Sequence, residues 1–267
     1  EMVAESENIR SALAWALRND RLDIGVPLAA RCGRFWDWRG SVSEALTWFG
    51  RLDDAEAQED TPQLGLALSW YGYFLMESDH IERARIINQR AREVAVQSGD
   101  LLSEAAAATV GAVIARYDGN LSSALELDAA ARAGAEQLQD SWLGAWADNH
   151  DALCHLAGGD IQAATAAAAA SLSGFQQLGD QRGVGWAMTV QATVALQAGD
   201  LDGAAELSAG AADVSRRVGD GRNAAWALEI GAAAVETDGD RPRAEALRVE
   251  ARDLLNEREV PFSPWRR

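Results

Sequence analysis

Apolar residues along this chain recur at helical spacing, and the pattern restarts every 40 residues. In the stretch 101–118 the apolar positions are Leu102, Ala106, Val110, Val113, Ile114 and Tyr117. This spacing places them on one face of an amphipathic helix, among the good helix formers Ala, Leu, Glu, Arg and Gln. No segment has the alternating, β-branched pattern of a strand. The sequence therefore predicts an all-α fold.

Two sets of turn signals keep the same period. The first is an aspartate repeated at Asp20, Asp60, Asp100, Asp140, Asp180 and Asp220. The second lies half a period later, at Asp79-His80, Gly119-Asn120, Gly159-Asp160, Gly199-Asp200 and Gly239-Asp240. Asp and Asn are favoured helix N-caps, and glycine favours a left-handed helix end. We expect the first set to cap the first helix of each unit, the glycines to end that helix, and the residue after each glycine to cap the second helix.

A fixed period of this size is typical of a stacked repeat array. Short loops make consecutive helices antiparallel, so each unit is predicted to be a helical hairpin. The expected fold is a right-handed superhelical solenoid of antiparallel helix pairs, with about 13 helices. We expect one repeat domain over residues 1–259 and a proline-containing tail at 260–267. The units are expected near 21–60, 61–100, 101–140, 141–180, 181–220 and 221–259.

Composition narrows the function. The formal net charge is −17, which disfavours binding to a phosphate backbone, so we expect no direct contact with nucleic acid. All 24 basic residues are arginine, which excludes a lysine-containing phosphate-binding loop and a Schiff-base lysine. The motifs GxSxG, HExxH and CxxC are also absent. We therefore predict no enzyme activity, no cofactor and no metal.

The two cysteines and the absence of long apolar segments bear on location. Cys32 and Cys154 provide no disulfide framework and fit a reducing cytoplasm. No signal peptide precedes the first helix, and no stretch is apolar enough to cross a membrane. We expect a cytoplasmic protein. The chain opens with Glu1-Met2 and enters a helix at once, so we also expect it to be a fragment of a longer protein.

Small residues at fixed places in each helix pair resemble those of tetratricopeptide (TPR) repeats. In the first helix they are Gly72, Ala112, Ala152, Ala192 and Ala232. In the second helix they are Ala84, Ala124, Ala164, Ala204 and Ala244, with Ala91, Ala131, Ser171, Ala211 and Ala251 further on. The repeat is longer than the usual length of about 34 residues. The large aromatic residue expected between the two small residues of the second helix is replaced by Asn88, Asp128, Ala168, Ser208 and Arg248.

The first 55 residues have a more specific resemblance. The segments at 7–17 (ENIRSALAWAL), 34–40 (RFWDWRG) and 44–48 (EALTW) are similar to the start of the helical-repeat region of actinobacterial STAND-type regulators. That family includes LuxR-type and SARP-type transcription factors. The resemblance implies a non-catalytic sensor domain, with DNA-binding and nucleotide-binding domains elsewhere in the parent protein. A partner protein, a peptide or a small effector would bind in the concave groove. The alternative is a free-standing scaffold for protein assembly.

Two features of the fourth to sixth units suggest where a partner binds. Trp146, Trp186 and Trp226 occupy the same position of three successive first helices, where they either form an apolar floor for a ligand or pack between hairpins. Near them, His150, Cys154 and His155 stand at positions that are apolar in the other units. These three residues are open to interpretation as a metal site, as satisfied buried groups or as ligand contacts. We expect the site to comprise Trp146, Asn149, His150, Trp186 and Trp226, with no metal.

Overall fold

The computed structural model describes residues 5–55, 61 and 63–256. These residues contain thirteen α-helices and no β-strand. The helices are α1 (Ser6–Arg18), α2 (Leu22–Arg39), α3 (Val42–Asp54), α4 (Leu64–Glu77), α5 (Ile81–Ser98), α6 (Leu101–Tyr117), α7 (Leu121–Leu138), α8 (Ser141–Ala157), α9 (Ile161–Leu178), α10 (Gln181–Ala198), α11 (Leu201–Arg217), α12 (Gly221–Thr237) and α13 (Arg241–Asn256). The predicted all-α class of helix pairs and the helix count are confirmed.

The chain divides into two compact units, residues 1–114 and residues 115–267. We call them unit 1 and unit 2. In unit 2, each helix from α7 to α12 packs on the helix that follows it, and α10 also packs on α8 and α12. The predicted repeat domain 1–259 and its internal bounds stay predictions. The tail at 260–267 and the expected cap Asp60 lie outside the described residues.

The aspartate caps form as predicted in unit 2. Asp140 accepts hydrogen bonds from the backbone N–H groups of Trp142 and Leu143 at the start of α8. Asp180 caps α10 and Asp220 caps α12 in the same way. Each side chain satisfies N–H groups that have no partner within the helix, which fixes where the helix begins.

One expected cap in unit 1, that of Asp20, is wrong. Asp20 has φ +54° and lies in the turn after α1, while α2 begins after Arg21, which makes no side-chain cap. Asp79 has φ +63° and takes the left-handed position that glycine occupies in later repeats, while His80 makes no cap hydrogen bond. The reason is that neither turn has a glycine there, and Asp tolerates a positive φ better than most residues do.

The glycines that precede the second helices have the predicted left-handed backbone. The φ angles are +74° at Gly119, +82° at Gly159, +82° at Gly199 and +100° at Gly239. Nothing lies within 4 Å of a Cβ built at these positions, so the backbone conformation alone accounts for glycine here. These turns reverse the chain within a few residues and make each helix pair antiparallel.

The two units have different cores. Unit 1 has an aromatic core in which the rings of Trp36 and Phe49 meet edge to face at 5.4 Å and Phe49 stacks on Phe74 at 6.1 Å. In unit 2 the second helices contribute alanines, and Ala124, Ala164, Ala204 and Ala244 are fully buried. A methyl side chain lets neighbouring helix backbones approach closely, as the sequence predicts for these positions.

Candidate functional site

The predicted site residues lie on α8, α10 and α12 of unit 2, and the cap aspartates hold these helices in register. One oxygen of Asp180 caps α10, while its Oδ2 accepts a hydrogen bond from Nε1 of Trp142 on α8 at 3.0 Å. Asp220 repeats the arrangement 40 residues later, because it caps α12 and its Oδ2 accepts a hydrogen bond from Nε1 of Trp186 at 2.9 Å. Each of these caps therefore also ties its own hairpin to the preceding one.

The sequence analysis did not predict that the cap aspartates also bind tryptophans of the preceding hairpin. Asp220 also receives Nε of Arg182 at 3.0 Å, although both side chains are buried. A buried carboxylate is stable only with several hydrogen-bond donors around it. The sequence did contain a sign of this contact, because a tryptophan on one first helix is followed by an aspartate at the start of the next first helix.

The three indoles of Trp146, Trp186 and Trp226 form a continuous row. Ring centroids are 6.1 Å apart between the first two and 5.5 Å apart between the last two, with interplanar angles of 60° and 57°. Phe175 on α9 meets Trp146 edge to face at 5.2 Å, and the guanidinium of Arg222 lies 5.4 Å above the Trp186 ring. Tilted contacts of this kind are favourable beyond the area that they bury.

Burial separates the two interpretations of the row. Trp146, Trp186 and Trp226 are only 8, 7 and 8% exposed. This burial fits packing between helices. Asn149 is also buried, and its Oδ1 accepts a hydrogen bond from Oγ of Ser171 at 3.4 Å. Binding at these residues stays a prediction.

His150 is the predicted site residue with the most open side chain. It is half-buried, and its ring stacks on Trp146 with centroids 5.9 Å apart and planes 25° from parallel. Burial, together with the nearby charge of Arg116, lowers the pKa of His150 to about 3, so the imidazole is neutral at physiological pH. Among the described residues, neither Nδ1 of His150 nor Nε1 of Trp146 has a hydrogen-bond partner.

A buried acidic group contacts Cys154, one turn along α8 from His150, and sequence reasoning did not identify it as part of the site. Asp128 on α7 is fully buried, and its Oδ2 accepts from the Cys154 thiol at 3.3 Å. Burial raises the pKa of Asp128 to about 7 and also raises that of Cys154, while burial lowers the pKa of Arg116 to about 10. The signal was present in the sequence, because Asp128 stands where TPR repeats have a large aromatic residue.

Ion pairs complete the surroundings of this polar cluster. Arg132 on α7 donates from Nε to Asp148 at 2.9 Å and from Nη2 to Asp151 at 2.7 Å. Nε2 of His155 lies 3.5 Å from Asp151. Thus His155 faces an acidic residue on its own helix, whereas His150 faces Trp146. In the described part of the chain, no three His, Cys, Asp or Glu side chains are grouped to hold a metal ion.

The comparisons with known proteins identify the fold. No protein-family model and no curated protein matches the chain. Among solved structures, BtubC from P. vanneervenii aligns with a TM-score of 0.58 at 16% identity, over 86% of this chain and 94% of its own. A STAND protein with a tetratricopeptide repeat sensor, PH0952 from Pyrococcus horikoshii, aligns with a TM-score of 0.60 at 16% identity. That alignment covers 88% of this chain but only 36% of the STAND protein.

A third likeness supports the same class. The nearly identical TPR-like repeats of a kinesin light chain candidate from Podosopora anserina align with a TM-score of 0.51 at 13% identity. The alignment covers 73% of this chain and 96% of that one. The fold is therefore that of a TPR-like helical-repeat domain. Within the described residues, none of the helices is both long and apolar enough to cross a membrane.

Proposed function

We propose that this chain is a non-catalytic sensor and protein-interaction domain of a multidomain bacterial transcriptional regulator of the STAND type. Its partner, a protein, a peptide or a small effector, binds along the first helices of unit 2 around Trp146, Asn149, His150, Trp186 and Trp226. The parent protein carries the nucleotide-binding and DNA-binding domains and acts in the cytoplasm. This chain itself binds no DNA and hydrolyses no nucleotide.

The observation that carries the proposal is the stacked pair Trp146–His150. Buried polar atoms in folded proteins nearly always have a hydrogen-bond partner, so two unmatched ring nitrogens in one place need an explanation. A bound partner that shifts the side chains covering these two nitrogens, and that supplies an acceptor to Trp146 and a polar group to His150, satisfies both, because neither nitrogen reaches the surface of the free chain. The STAND context is supported by the resemblance of the first 55 residues and by the alignment with a STAND protein that has a repeat sensor.

The binding site is tested with peptides selected from a displayed random library on the wild-type chain. Truncating His150 to alanine should weaken binding of the selected peptides by about tenfold, as for a contact residue at a site centre. The matched control is His155→Ala on the same helix, which should leave binding within about twofold because His155 faces Asp151. His150→Gln, which keeps a polar group, should recover part of the loss. Equal affinities for His150→Ala and His155→Ala would contradict the site.

The regulator context is tested in the parent gene. A nucleotide-binding switch and a DNA-binding domain encoded in frame with this chain are the expected result. The second candidate function is a free-standing scaffold, and it is favoured by the alignment with BtubC, which covers 94% of that protein. A gene that encodes neither domain would support the scaffold instead.

A further inference from the structure

Unit 1 contains a cleft of about 530 Å³. None of the residues that line it belongs to the predicted partner site on α8, α10 and α12. The cleft lies where the first turn of α4, the last turns of α5 and the first turn of α6 meet. A volume of this size falls in the range of small-molecule sites. The lining residues are Thr61, Gln63, Leu64, Gly65, Leu66, Val94, Gln97, Ser98, Asp100, Leu102 and Ser103.

Two polar groups of this cleft are acceptors suited to a cation. Oε1 of Gln63 is buried and has no hydrogen-bond partner within the described residues. Asp100 contributes a carboxylate, whose Oδ2 accepts from Oγ of Ser103. Ser98, whose hydroxyl already donates to the carbonyl of Ala95, lies at the negative, C-terminal end of α5, whereas α4 and α6 present their positive, N-terminal ends, so the preference for a cation rests on Gln63 and Asp100. Among the lining residues there is no arginine or histidine to neutralise these groups.

Apolar side chains form the rest of the cleft. Leu64, Leu66 and Val94 are buried, and Leu102 is half-buried. The backbone at Gly65 approaches α6 closely, because a Cβ there would lie 2.9 Å from the Cβ of Ser103. A side chain at position 65 would therefore displace Ser103, the residue that orients Asp100. The cleft thus combines an apolar surface with a carboxylate and an unmatched amide oxygen.

We propose that this cleft binds a small protonated primary amine on a short branched apolar chain. The ammonium group supplies three donors, which suits Gln63 Oε1 and the Asp100 carboxylate, and the chain lies against Leu66, Val94 and Leu102. A free amine and an α-amino acid both provide this chemistry. Binding here is independent of the partner surface on unit 2, so either proposal can fail without the other.

The probes are isoamylamine and L-leucine, titrated into the ¹⁵N-labelled chain while backbone amide shifts are followed. Saturable shifts confined to α4, the end of α5 and the start of α6 are expected for isoamylamine. The same shifts with L-leucine would identify an α-amino acid as a ligand, whereas shifts with isoamylamine alone would identify a free amine. Isoamyl alcohol, which has the same shape without the charge, should bind at least about tenfold more weakly. Equal shifts with the alcohol, or no saturable shifts with either amine, would overturn the proposal.

Variants separate the site from general effects of charge. Asp100→Asn should weaken isoamylamine binding by about tenfold, because a charged acceptor becomes neutral. Asp140→Asn is the matched control, since Asp140 stands 40 residues later at the corresponding repeat position, and it should leave binding unchanged. Asn has the shape of Asp and its amide oxygen still accepts hydrogen bonds, so both variants should fold. If Asp100→Asn fails to fold, Gln63→Leu replaces it and should lower the affinity severalfold. Unchanged binding in the folded variant would refute the site.

Discussion

Replacing Trp186 by alanine tests whether the indole row holds unit 2 together. The indole is 7% exposed, contacts Trp226 at 5.5 Å between centroids and donates to Asp220 at 2.9 Å. Truncation of a buried aromatic residue removes its transfer free energy and leaves a cavity, which together cost about 3–5 kcal/mol. Asp220 keeps Arg182 and the N–H of Asn223 as donors, so no charge is left unpaired and we expect no further penalty.

The measurement is urea unfolding followed by circular dichroism, with two control variants. Trp38→Ala makes the same substitution at a side chain that is 55% exposed, and should cost less than about 1 kcal/mol. Trp186→Phe keeps a ring but loses the N–H donor and some volume, and should cost about 1–2 kcal/mol. A loss for Trp186→Ala no larger than that for Trp38→Ala would refute the assignment of the row to the core.

Three further predictions concern single groups. Burial raises the pKa of Asp128 to about 7, so the native state keeps a proton that the unfolded chain releases near pH 4. As the pH rises from 4 to 7, the wild-type free energy of unfolding should therefore fall by about 1 kcal/mol or more relative to that of Asp128→Asn. Urea unfolding at several pH values measures both, and parallel curves of unfolding free energy against pH would contradict this. The imidazole of His150, with its pKa lowered to about 3, should not titrate between pH 5 and 8 by NMR, and a midpoint near 6.5 would show it to be solvated. Gly183→Ala should lower the free energy of unfolding by about 1–3 kcal/mol, because the new Cβ would overlap the Phe175 ring. In the same assay Gly144→Ala should be neutral or stabilising, because a Cβ there would lie 3.8 Å from its nearest neighbour.

The helices and most turns of this fold were predictable because they depend on local chemistry. Hydrophobic spacing and the glycines at 119, 159, 199 and 239 act within a few residues, and the structure has the expected helices around them. The failure of Asp20 to cap α2 has a local cause too. Without a glycine to take the left-handed position, the aspartate itself takes it and cannot cap the next helix.

The candidate site was less predictable because it depends on contacts across hairpins. The period correctly grouped Trp146, Trp186 and Trp226, and the structure places their rings in contact. Periodicity does not reveal which way a side chain points, so the burial of the indoles was open until the neighbouring helices were in place. Asp128 was missed because its unusual environment comes from Cys154 and Arg116 on other helices, and only the fold brings them to it.

Hydrogen exchange in the presence of a selected peptide tests the proposed partner surface most directly. Backbone amides of α8, α10 and α12 should gain protection when the peptide is bound, with the largest change around Trp146 and His150. The same amides in the His150→Ala variant should gain less protection at equal peptide concentration. Protection confined to the second helices α9, α11 and α13, or to unit 1, would contradict the proposal that partners bind along the first helices of unit 2.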